Sequence, residues 1–102
     1  MKRIINGKIY STDTADRIGN HVYSNPGDFR YEDTDLFRSK KGAWFICGEG
    51  GPYSRWSREI SSNGLSGGSG IEAMTTTEAL AWCEAAGIDA DVIAQYFSVE
   101  EA

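Results

Sequence analysis

The run from Asp35 to Ile46 constrains this chain most. Asp35-Leu36-Phe37-Arg38 and Ala43-Trp44-Phe45-Ile46 flank Lys40-Lys41-Gly42, which fits a three-residue hairpin loop with glycine in the left-handed position. A loop of that length sets the register: Phe37 opposes Phe45, and Leu36 opposes Ile46. A slip of one residue would turn every side chain to the other face. The aromatic pair is expected on the face that helices cover.

A second turn signal opens the chain. Asn6-Gly7 separates Arg3-Ile4-Ile5 from Lys8-Ile9-Tyr10, and Asn-Gly tolerates the two positive φ angles of a type I′ turn. The two-residue loop pairs Ile4 with Ile9, and their shared face is expected to be buried. Ser11 to Gly19 has capping residues, Ala15 and Ile18 three apart, and a glycine stop, so a short helix is expected there. Residues 20 to 28 read as loop, and Phe29-Arg30-Tyr31 as the start of strand chemistry. Glu32-Asp33-Thr34-Asp35 reads as a solvated strand entrance. The composition of Ser61 to Gly70, SSNGLSGGSG, reads as a flexible segment.

The last third is patterned differently. Ile71-Glu72-Ala73-Met74 suits a short strand, and Thr75-Thr76-Thr77-Glu78 holds a Thr-x-x-Glu capping box for a helix running to about Ala86 and stopping at Gly87. Asp89 suits the cap of a second helix, in which Val92, Ile93, Tyr96 and Phe97 form one apolar stripe. The expected fold is therefore α+β in a single domain, residues 1–102. It has a small antiparallel sheet of hairpins, a short N-terminal helix, and two C-terminal helices packed on one sheet face.

Charge is unevenly placed. Residues 1 to 70 hold all ten Lys and Arg against eight acids, whereas residues 71 to 102 hold seven acids and no base. A surface of one sign steers a partner of the other. Without an apolar run long enough to span a bilayer, and with an apolar start broken at Asn6-Gly7, the expected location is the cytoplasm of the cell in which the protein is made. Cys47 and Cys83 lie in unlike contexts and read as two buried free thiols.

No motif selects a reaction. CGEGGPYSRW, Cys47 to Trp56, lacks the Lys-Ser/Thr of a phosphate loop and the helix that follows a dinucleotide fingerprint, so it reads first as a turn. Its Glu49, Tyr53, Arg55 and Trp56 have the mixed chemistry of interface anchors and are candidates for partner contact. His21 is the single histidine, and any general base would fall to it. No metal-ligand spacing and no cofactor signature is present, so no catalytic residue, metal or cofactor is expected. Arg30, Arg38, Lys40, Lys41, Arg55 and Arg58 beside Tyr31, Trp44 and Trp56 could form a base-stacking stripe, but a pI near 4.7 opposes direct nucleic-acid binding.

The ordered segments INGKIYSTDTADRIG, YEDTDLFRSKKGAWFICGEGGPYSRW and IEAMTTTEALAWCEAAG resemble small proteins of phages and other mobile elements. By size, acidity and organisation the chain is similar to anti-CRISPR inhibitors. That resemblance implies a stoichiometric, non-enzymatic viral inhibitor acting in the host cytoplasm. It would bind a CRISPR effector through an acidic surface in place of DNA and block nucleic-acid binding. Glu78, Glu84, Asp89 and Asp91 on the last two helices are the candidate contact residues, with Glu49, Tyr53, Arg55 and Trp56 at the rim. The alternative is an interaction or regulatory module of a mobile element that binds a different host protein.

Overall fold

A computed structural model describes all 102 residues. The centre is a four-stranded antiparallel sheet in the order β3-β4-β5-β8, formed by Asp16–Tyr23, Glu32–Arg38, Trp44–Gly50 and Gly68–Met74. Two further hairpins stand apart from it. One joins β1 (Lys2–Ile5) to β2 (Lys8–Ser11), and the other joins β6 (Arg58–Ser61) to β7 (Gly64–Ser66). Helices α1 (Thr76–Ala86) and α2 (Ala90–Tyr96) close the chain. Strands take 43% of the residues and helices 18%, so the molecule is mostly β and the α+β expectation does not hold.

The largest departure is the N-terminal helix, which does not form. Ser11 ends β2, its hydroxyl accepts from the Asp13 amide at 3.3 Å in a turn, and Asp16 begins the eight-residue β3. Two apolar residues in nine positions could not repay the cost of a helical nucleus. Pairing with β4 satisfies the same backbone instead, from Asp16 opposite Arg38 to Tyr23 opposite Glu32. A register shift between Arg17 and Gly19 lets Ile18 reach the helix-side core. A Cβ on Gly19 would lie 2.7 Å from Ile88, so the small residue admits the α1–α2 connection.

Both turns behave as their residues dictate. Asn6 and Gly7 have φ of 51° and 77°, and Ile4 faces Ile9. Gly42 has φ of 89°, and the Ser39 amide donates to Ala43 O at 2.8 Å to close the three-residue loop. Phe37 pairs with Phe45 and Leu36 with Ile46.

The helices cover the sheet face opposite to the one expected, and the N-terminal hairpin covers the other. Leu36, Trp44 and Ile46 form the core under the helices with Ala79, Trp82, Cys83 and Phe97. Phe37, Phe45 and Ile71 face the opposite way, where Ile5 and Tyr10 of the N-terminal hairpin cover them. Consequently Ile4 and Ile9, expected inside, are 69% and 67% exposed, because the hairpin packs through its other face. Arg3 anchors it by donating to Ile71 O at 2.8 Å. The sheet is thus sandwiched between a β-hairpin and a helix pair.

Helix α1 carries the full reciprocal cap. The Glu78 amide donates to Thr75 Oγ1 at 3.1 Å, and the Thr75 amide to Glu78 Oε1 at 2.9 Å. Gly87, at φ 71°, ends the helix. Asp89 caps α2 by accepting from the Asp91 amide, and Phe97 at its far end stacks on Trp44 with ring centroids 4.6 Å apart.

Candidate functional site

The glycine-rich stretches find their use inside the fold. Gly48 on β5 and Gly70 on β8 are register partners on the helix-side face, and the indole of Trp56 lies against both, while Gly68 leaves room for the Trp56 backbone and the Arg58 side chain. A Cβ at Gly48 would fall 2.5 Å from Trp56 Nε1, and one at Gly70 would fall 3.3 Å from the indole ring. Trp56 is only 5% exposed and donates through Nε1 to Thr34 Oγ1 at 2.9 Å, while Thr34 donates to Glu32 Oε2 at 2.8 Å. Trp56 is therefore a core residue rather than a rim anchor. Thr34 is fully buried, so residues 32 to 35 are the body of β4 and not a solvated entrance. SSNGLSGGSG is likewise ordered as the β6–β7 turn, β7 and the start of β8, its glycines leaving room for Trp56 and its neighbours.

The remaining rim candidates separate. Arg55 pairs with Glu72 at 3.0 Å and lies over the Trp56 ring. Glu49 is exposed on β5 opposite Asp33 and Ser69, on the face away from Trp56. Tyr53 is 63% exposed and meets Phe29 edge to face, with centroids 5.6 Å apart. Phe29 is not in a strand: residues 24 to 31 form a tight loop that ends at β4. Asp28 organises it, accepting the Arg30 amide and the Ser24 hydroxyl, both at 2.8 Å, and these bonds hold its carboxyl below the usual range. Asn25, Asp28 and Phe29 are not among the sequence candidates, and Arg30 is there only as part of a base-stacking stripe, since nothing in the sequence shows that Phe29 points outward beside Tyr53.

The base-stacking stripe that the sequence allows is dispersed. Trp44 and Trp56 are buried, Arg38 lies over the Trp44 and Tyr96 rings, Lys40 pairs with Asp16, and Arg55 with Glu72. His21 is half-buried on β3 opposite Thr34. No group of three or more His, Cys, Asp or Glu is placed to hold a metal.

The acidic candidates lie along the helix layer, Glu78 and Glu84 on α1, Asp89 at the cap of α2 and Asp91 in its first turn. Glu78, Glu84, Asp89 and Asp91 are all exposed. Glu78 and Asp89 also serve as caps, and the backbone and hydroxyl of Thr75 hold the Glu78 carboxyl below its ordinary value. The three ion pairs of the molecule join Arg17 to Asp35, Lys40 to Asp16 and Arg55 to Glu72. Of the seven acids after residue 70, only Glu72 has a cation, which leaves six uncompensated. Cys83 lies in the core under the helices and Cys47 on the hairpin side, so the sheet separates them; burial pushes both thiols up. No helix is long and apolar enough to cross a membrane.

No known protein family, no curated protein and no solved structure matched the chain.

Proposed function

We propose that the protein acts by binding rather than catalysis, seating the acidic outer side of α1 and α2 in a basic, nucleic-acid-binding channel of a partner protein. One observation carries this reading: six carboxylates between Glu78 and Glu101 have no intramolecular cation, although ten Lys and Arg are present elsewhere in the chain. Four of the six, Glu78, Glu84, Asp89 and Asp91, lie on the capped helices, and Glu100 and Glu101 follow α2 in the tail. Unpaired charge of one sign is well suited to steering and orienting a cationic surface. A CRISPR effector is the partner indicated by the resemblance, because such effectors hold guide and target in positively charged channels and read backbone shape.

The test uses purified effector–guide complexes of the multisubunit and single-protein classes, with target-DNA binding followed by fluorescence anisotropy. The reading expects loss of target binding with an end point at one protein per effector, and no chemical change in either component. Undiminished target binding by every effector at saturating protein rejects the CRISPR assignment. Sub-stoichiometric inactivation would reject stoichiometric binding and point to catalysis.

A further inference from the structure

A second surface lies at the other end of the sheet, where the β3–β4 loop meets the segment after β5. Asn25, Gly27, Asp28, Phe29, Arg30 and Tyr53 line an open cleft of about 580 Å³, within the range of small-molecule sites. Phe29 and Tyr53 are 62% and 63% exposed, yet they are not loosely held. The Tyr53 amide donates to Phe29 O at 2.8 Å, and the Gly51 amide donates to Tyr31 O at 2.8 Å. Within the loop, Asn25 O accepts from the Asp28 amide, Asn25 Oδ1 from the Gly27 amide, and Asp28 O from the Tyr31 amide. The backbone that carries the two exposed rings is thus held by a hydrogen-bonded frame and the rings meet edge to face, so a ligand would bear less of the cost of ordering this loop.

The polar groups around the rings narrow the ligand. Asp28 and Arg30 carry opposite charges, so the cleft has no net preference for an ion. Arg30 has no carboxylate partner, Asn25 keeps its amide NH2, and Asp28 keeps lone pairs beyond the two it uses. These are planar groups that can bind adjacent hydroxyls in pairs, and the ring faces beside them attract polarised C–H bonds. We propose that this cleft binds a pyranose ring of an uncharged saccharide, its C–H face on Phe29 or Tyr53 and its hydroxyls on Asn25, Asp28 and Arg30. Because the cleft is open, binding to a single ring should be weak, with Kd of about 1 mM. The ring could belong to a free oligosaccharide or to a longer glycan.

The test titrates the ¹⁵N-labelled full chain with trisaccharides of α- and β-linked glucose, N-acetylglucosamine and mannose, with AMP and inorganic phosphate as separate arms. The proposal expects at least one trisaccharide to shift the amides of Gly27 to Tyr31 and Tyr53, with upfield ring-current shifts on the sugar C–H protons. Phe29→Ala with Tyr53→Ala should abolish both effects while the remaining spectrum is retained, since both side chains are exposed and the backbone bond between the two residues survives; persistence of both effects in this variant also overturns the proposal. Glu84→Gln with Asp91→Asn should leave them unchanged, which separates this site from the helix surface. Tighter binding by a matching soluble polysaccharide than by the trisaccharide would assign the source to an extended glycan, and equal binding to a free sugar. Silence from every trisaccharide overturns the proposal. So does a response at these amides to AMP or phosphate alone, which would assign an anionic ligand.

Discussion

Gly48→Ala should unseat Trp56. The added Cβ would lie 2.5 Å from Trp56 Nε1, 2.5 Å from the Asp33 carbonyl oxygen and 2.9 Å from Thr34 Oγ1. The Asp33 contact is backbone of the neighbouring central strand, so the methyl cannot be accommodated by a rotamer change there. The indole must move, and the 2.9 Å bond to Thr34 is broken or lengthened. Overpacking of a well-filled core costs about 1–3 kcal/mol. Leaving the buried indole N–H without its acceptor costs about another 1–3 kcal/mol. Because the two effects share one displacement they should not add in full, and a loss of about 2–4 kcal/mol is expected. Equilibrium urea unfolding measures it, with Gly27→Ala as control, since a Cβ there meets nothing nearer than 3.4 Å. A loss below about 0.5 kcal/mol, the usual size of a neutral surface change, would refute the seating of Trp56 on the glycine strip.

Three further outcomes follow from the same packing. Phe45 is fully buried, stacked on Phe37 at 5.3 Å and edge-on to Tyr10 at 5.5 Å, so Phe45→Ala should cost about 3–5 kcal/mol in urea unfolding, and a loss under about 1 kcal/mol would contradict the register. Cys47 and Cys83, on opposite sides of the sheet with thiols pushed up by burial, should titrate as two free thiols in denaturant and react slowly in the native state; finding none in the unfolded monomer would contradict this. The Glu78 carboxyl, held below its ordinary 4.5 by the Thr75 backbone and hydroxyl, stabilises α1 when ionised. That contribution is present above the unfolded value and lost as pH falls through the folded one. Amide exchange at the start of α1 should therefore lose protection on acidification, and Glu78→Gln should flatten this dependence while keeping the cap.

Turn chemistry was legible because it is local. Lys40-Lys41-Gly42 and Asn6-Gly7 fix loop length and backbone sign, and with them the pairing of Phe37 with Phe45 and Ile4 with Ile9. Thr75 and Glu78 fix a helix start for the same reason. The faces were not legible, since Leu36-Phe37 and Trp44-Phe45-Ile46 are apolar in succession and both sides of the sheet are covered. Alternation then cannot say which layer is helix and which is hairpin. Trp56 was misread because its seat is assembled from β4, β5 and β8, and glycine that makes room for an indole has the same composition as glycine in a flexible linker. The acidic surface was legible as charge, but the absence of cations beside it needed the fold.

The most direct test of the acidic surface is salt-dependent binding of the parent and of a variant with Glu78→Gln, Glu84→Gln, Asp89→Asn and Asp91→Asn, against an effector found to respond to the protein. Gln and Asn retain both caps, so the variant should remain folded. The parent's affinity should fall steeply as salt rises, since exposed charge is screened over about 8–10 Å near physiological ionic strength. The variant should bind more weakly at low salt and with a shallower salt dependence. Equal affinity and an equal salt slope would show that the helix carboxylates are a solvated face and that the contact lies elsewhere.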